Sequence, residues 1–189
     1  MEALVGAFAG LALSAAVGFR VFVPLLLVGL AGRLGYLQLT PDMTWLGSDG
    51  ALVALATATV IEVSAYYVPW LDNLLDALAT PIAMAAGVIA WAAVTPELSP
   101  LLRWTLAIVA GGGTAGAIQA GTAFLRLQSS GLTGGLGNAV LATGELVGSL
   151  ALTLLALVLP LLAAVIVLVV LVALGWRLAA RLRATSGRT

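Results

Sequence analysis

Two carboxylates stand where the neighbouring residues are hostile to charge. Glu62 lies inside the apolar run 51–68 and Glu145 inside 139–159. A charge at mid-bilayer costs about 2.5–3.5 kcal/mol on insertion scales, so such groups face a cavity, a partner or a pathway. Each has polar company at helical spacing. Thr59 comes three residues before Glu62 and Tyr66 four after it, while Asn138, Ser149 and Thr153 fall along the stripe of Glu145. Gln119, Thr122 and Arg126 make a third stripe, with Thr114 off it. Lipid rejects all three, which predicts that they converge. A carboxylate among hydroxyls can carry a proton or hold a cation; paired with Arg20 or Arg126 it fixes helix register instead. Hydroxyls alone read as glue between helices, at about 0.6–2 kcal/mol per hydrogen bond. Glue needs no ionisable group, so the two glutamates weigh toward function.

Asp72 and Asp76 form a separate candidate. On a helix begun at Pro69 they share a face at i and i+4, where like charges repel and favour an intervening cation. An all-oxygen pair suits a hard divalent ion such as Mg2+, Ca2+ or Mn2+. A solvated interfacial helix explains the same pattern equally well. The stretch Ser129–Asn138 is Gly-rich and leads into the Glu145 helix, with Asn138 at a capping position. The chain has no lysine and no phosphate-loop motif, so a flexible connection is the plainer reading.

Composition bounds what these residues can do. The 189-residue chain is 62% hydrophobic and 8% charged, with mean hydropathy +1.16, too apolar for a soluble core of this size. Without cysteine or histidine it has no disulfide, thiolate metal site, Cys or His nucleophile or imidazole relay. No basic stripe with interleaved aromatics speaks for nucleic acid. Every cation is Arg, and Arg177, Arg181, Arg183 and Arg188 crowd the tail 177–189, which places that tail in the cytoplasm of a multi-pass cell-membrane protein. The N-terminal apolar stretch has no positive n-region and reads as a retained first helix.

The elements that must position the polar residues are apolar segments at roughly 3–19, 21–35, 50–68, 79–95, 103–125, 138–159 and 161–176. They predict one all-α membrane domain over 1–189, a polytopic transmembrane helical bundle of about five to seven hydrophobic segments. The segment 21–35 is short and carries Pro24, Gly29, Gly32 and Gly35, so it is expected to be broken or re-entrant. Pro160 separates the last two segments and is either a kink or a hairpin turn. Trp45, Trp70, Trp91, Trp104 and Trp176 fall near segment ends, as an aromatic belt would. Gly6, Gly10, Ser14 and Gly18 recur every four residues, as do Gly113, Ala117 and Gly121. Ordinary helix packing explains both ridges better than a homo-oligomer face does. Each half, 1–78 and 103–160, holds a Phe/Arg-terminated helix, a Gly-rich stretch and a Glu-bearing helix, a candidate inverted repeat.

Three groups of residues carry a family resemblance. They are Gly18-Phe19-Arg20-Val21-Phe22-Val23-Pro24, the run from Glu62 through Pro69 to Asp72 and Asp76, and Gly134-Gly135-Leu136-Gly137-Asn138 with Glu145. Together the sequence resembles the uncharacterised bacterial membrane family catalogued as domain of unknown function 4126, over nearly its whole length. The resemblance implies that these residues form one constellation and brings no established activity. It also implies Pro after the Asn and an acidic pair at the second glutamate, where this chain has Ala139 and the single Glu145.

The leading expectation is a small transporter or channel-like protein for an ion or small solute, proton-coupled through Glu62 and Glu145. Its pathway would use Thr59, Tyr66, Gln119, Asn138, Ser149, Arg20 and Arg126, with Asp72 and Asp76 collecting cations at a mouth. A non-transporting scaffold or accessory subunit held by Glu–Arg pairs is the alternative. An enzyme on a lipid-like substrate is weaker, since no nucleophile-and-base arrangement is recognisable. No cofactor beyond a hard divalent cation is implied.

Overall fold

Helix starts and stops follow the punctuation in the sequence. The computed structural model describes residues 2–186, with the backbone alone over 69–77, at 174 and over 177–186. Among them are eight α-helices: α1 (Glu2–Phe19), α2 (Phe22–Arg33), α3 (Asp49–Ala65), α4 (Pro69–Ala93), α5 (Pro100–Leu106), α6 (Gly113–Thr133), α7 (Asn138–Val158) and α8 (Pro160–Ser186). A 3-10 helix (Pro41–Gly47) precedes α3, and a π-helical stretch (Ala107–Gly112) joins α5 to α6. Pro69, Pro100 and Pro160 each open a helix, where a missing N–H costs nothing. The Ser48 side chain accepts from the Ala51 N–H and caps α3. Gly134, at φ +64°, closes α6 in the left-handed conformation.

Among the described residues, three helices are long and apolar enough to cross a membrane: Glu2–Phe19, the run Pro100–Thr133, and Asn138–Val158. A fourth span results if the 3-10 helix and α3, bent by 63°, are taken together. The chain is thus a polytopic transmembrane helical bundle. Helix α1 is its axis, packed against α4, α6, α7 and α8. Every residue from Ala12 to Gly18 is buried, the all-round burial of an interior helix. Small residues make this possible. A Cβ on Gly18 would sit 2.6 Å from the Ile118 Cβ and 2.7 Å from the Ala115 carbonyl oxygen. The Gly6/Gly10/Ser14/Gly18 ridge is therefore spent on packing within the chain. The second ridge differs, since Gly113 and Ala117 face outward.

Contacts along the helices fix their directions. Gly6 of α1 lies against Val94 and Thr95, and the Ser14 hydroxyl donates to the Gly87 carbonyl (3.0 Å), so α1 and α4 are antiparallel. After α2 the chain is back at the end where α1 began, because the Thr40 N–H donates to the Ala93 carbonyl (3.0 Å). Helices α1 and α2 thus enter from one end and turn at Arg20 and Val21, both buried. Helix α2, with 12 residues, is about 18 Å long against a hydrocarbon core of about 30 Å. The segment is short and returning, as expected, but its helix runs unbroken from Phe22 to Arg33, with Pro24 tolerated in the first turn.

Pro160 marks a hairpin. Gly148 of α7 and Val170 of α8 line one cavity, although 22 residues of continuous helix would separate them by about 33 Å. Trp91 departs from the belt pattern, being buried where α4 meets Gly10 of α1 and Gly111 of the π-helical stretch. The inverted repeat finds no support in the helix directions. Gly18 near the end of α1 meets Ala115 and Ile118, while Gly10 and Gly111 both meet Trp91, so α1 and α6 run the same way.

Candidate functional site

The break between α1 and α2 is where the polar stripes meet. Arg20 carries no helix-forming role there; its side chain, 1% exposed, reaches across to α7. Its Nη2 donates to the Ala142 carbonyl (2.9 Å) and lies 3.4 Å from Glu145 Oε2. Arg126 comes from α6 and grips the same carboxylate with two nitrogens, Nε to Oε1 (3.2 Å) and Nη2 to Oε2. Both guanidiniums lie over the ring of Tyr66, their Cζ atoms 4.0 Å (Arg20) and 4.1 Å (Arg126) from its centroid. Stacking on a ring face stabilises each cation where water is scarce.

Glu62 completes the cluster differently. Its Oε1 accepts from the Val21 N–H (2.8 Å) and its Oε2 from the Phe22 N–H (3.1 Å). Helix α2 has no side-chain cap of its own, so a glutamate from α3 supplies the anion that a helix N-terminus favours. Glu62 has no ion pair among the described residues, but lies within Coulomb range of Arg20 and Arg126. Two arginines and two glutamates balance formally, which is how this much charge stays in an apolar bundle.

The depth of the cluster follows from residue counts. Arg126 is seven residues before the end of α6 and Glu145 seven after the start of α7, each about 10 Å from the α6–α7 turn. Helix α1 therefore stops roughly two helical turns short of the end of its neighbours.

The other expected residues divide. Ser149 is buried, and its hydroxyl donates to the Ala16 carbonyl (3.0 Å), tying α7 to α1. Thr153 turns back to the Ser149 carbonyl (2.7 Å) and Thr122 to the Gln119 carbonyl (3.0 Å). Asn138 is buried and donates through Nδ2 to Ser130 Oγ (2.8 Å), pinning the start of α7 to the end of α6. Gln119 is 1% exposed, and its Nε2 has no hydrogen-bond partner among the described residues. Thr59 is outside the cluster in chemical terms, its hydroxyl satisfied by the Leu55 carbonyl (2.8 Å). Asp72 and Asp76 fall in the first turns of α4, and their side chains lie outside the described residues, as do those of the Arg tail. No group of three or more Asp or Glu is gathered for a metal ion among the described residues.

The expectation of two glutamates in one open cavity is corrected by these contacts. Neither lines either of two cavities among the described residues. One, of about 300 Å³, lies at the opposite end beside Arg33, Thr44 and Ser48. The other, of about 270 Å³, is apolar and lies among α1, α6, α7 and α8. Glu145 is held by two arginines, so a proton-carrier role for it loses its geometric basis. Sequence reasoning also missed the backbone partners at Val21, Phe22 and Ala142, since any residue type supplies an amide. It passed over a second clip, buried Arg103 against Asp42, which fastens α5 to the 3-10 helix at the far end. Two charges near segment ends in so charge-poor a chain were the available signal.

A family model described as Domain of unknown function (DUF4126) matches residues 7–180. No curated protein and no solved structure matches the chain.

Proposed function

Starting from the fact that the chain belongs to the DUF4126 family, whose activity is undefined, we propose that it is a small membrane transport protein acting on a solute with an anionic group. Its binding determinants are Arg20 and Arg126, with Glu145 as the resident counter-ion that the solute displaces. The observation that carries this reading is Arg20, set at the turn of a returning helix pair inside the bundle. Its Nε and Nη1 are buried without hydrogen-bond partners among the described residues. Irregular backbone at membrane depth is tolerated only where it is buried in protein or lines a pathway. Broken helices meeting at a polar centre are a recurrent transporter device. Unsatisfied buried donors cost about 1–3 kcal/mol each, more when charged, and an anion would satisfy them.

Proteoliposome flux tests this reading. Uptake of small carboxylates or phosphates is expected in the wild type and to fall at least tenfold in Arg20→Gln, with helicity retained. A pH gradient imposed in the same assay decides whether Glu62 couples protons. Cation flux with no response to anions refutes it. A scaffold role is the second reading, favoured by the double grip on Glu145, and it expects no flux at all. A cell-membrane location with the Arg tail in the cytoplasm accompanies both readings.

A further inference from the structure

The apolar cavity among α1, α6, α7 and α8 adjoins the charge cluster in sequence at two of its walls. Phe19 precedes Arg20, and Gly148 lies three residues after Glu145. It runs along the half of α7 farther from the α6–α7 turn, from Gly148 at the helix midpoint through Leu152 to Leu155, three residues before its end. Its lining exposes no polar surface, and a Cβ on Gly148 would meet nothing within 4 Å. Next to Phe19, at one end of this slot, Arg20 carries buried Nε and Nη1 atoms without hydrogen-bond partners among the described residues. Hydrogen-bond donors without acceptors ask for an oxygen-rich anion, and an apolar slot that continues from Phe19 asks for a hydrocarbon chain.

We infer that the site takes an anionic lipid, its phosphate or carboxylate head at Arg20 and one acyl chain in the Phe19–Ile118–Gly148 groove. This rests on the anion reading of the cluster and names its substrate class. The head would lie about 10 Å from the α6–α7 turn, with the tail running away from that turn along the far half of α7. At about 30 Å³ for a water-sized group, close to the size of a methylene, the 270 Å³ cavity holds roughly nine carbons of one chain. Since a chain gains little in moving from lipid to an apolar groove, selectivity comes from the head and retention from the fit.

Native mass spectrometry of the full chain, purified in a neutral detergent, tests this. The protein is offered equal phosphatidylglycerol and phosphatidylcholine with matched acyl chains. One retained lipid per protein is expected, with about tenfold preference for phosphatidylglycerol. Arg20→Gln should erase the preference. Gly148→Leu should fill the groove and cut retention at least fivefold, whereas Gly113→Leu, equally open but on another face, should retain lipid like the wild type. Should Arg20→Gln fail to fold, the two glycine variants still decide. Equal retention of both lipids, or retention untouched by Gly148→Leu, overturns the inference. Flux of small anions without lipid selectivity would leave the transport reading standing and this one refuted. Selective lipid retention without any flux or lipid transfer would do the reverse.

Discussion

Replacing Glu145 by Gln removes the charge that the buried arginines share while keeping the side chain's size. The carboxylate is 8% exposed, holds Arg126 through two nitrogens and lies 3.4 Å from Arg20. Removing one partner of a buried ion pair costs about 3–5 kcal/mol, because the other charge stays behind without compensation. The Gln carbonyl can still accept one bond from Arg126, and the Tyr66 ring and Glu62 still stabilise both cations, which favours the low end, about 3 kcal/mol. Arg126→Gln should cost a similar amount. In the double variant neither residue is left charged opposite the other, so its cost should fall short of the sum by about 1.5–2 kcal/mol. Reversible unfolding in mixed micelles of increasing dodecyl sulfate fraction, followed by helical circular dichroism, reads all three. The exposed pair Arg33–Asp49, with side chains 46% and 85% accessible, is the internal control, and Asp49→Asn should stay within about 0.5 kcal/mol. A cost below about 1 kcal/mol for Glu145→Gln, or full additivity, would refute the account of the cluster as one electrostatic unit.

Glu62→Ala should leave the first turn of α2 uncapped, at about 1 kcal/mol, and speed hydrogen exchange at the Val21 and Phe22 amides before any other in α2. Unchanged protection at those two amides would remove the capping role. Gly18→Ala should cost about 1–3 kcal/mol by overpacking Ile118 and Ala115, while Gly113→Ala, with open space around it, should be neutral or stabilising by up to about 1 kcal/mol. The same dodecyl sulfate titration measures both. Because the chain has no cysteine, single-cysteine variants report topology cleanly. Thr44→Cys and Glu97→Cys should label with a membrane-impermeant maleimide from one face, and Leu136→Cys from the other. Labelling of Thr44→Cys and Leu136→Cys from the same face would overturn the returning α1–α2 pair.

The sequence by itself determined the class and most of the ingredients. An apolar excess this large leaves only a membrane bundle, and helical spacing put Gln119, Thr122 and Arg126, and likewise Asn138, Glu145, Ser149 and Thr153, on buried faces, where the structure has them. Intrinsic punctuation did the same for Pro69, Pro100, Pro160 and Gly134, because their backbone restrictions are local. The tertiary structure decided which charge meets which. Glu62 and Glu145 look equivalent along the chain, yet one caps a helix through backbone amides and the other is clasped by two arginines. That difference arises from the turn at Arg20, which brings residues 41 and 125 positions away in sequence to one place. Whether Pro160 kinks or folds back was likewise settled by packing, since α7 and α8 both bury small faces against α1. Periodicity tells which side of a helix avoids lipid. Partner choice depends on how helices stack around a common axis, and no local residue pattern encodes that distance.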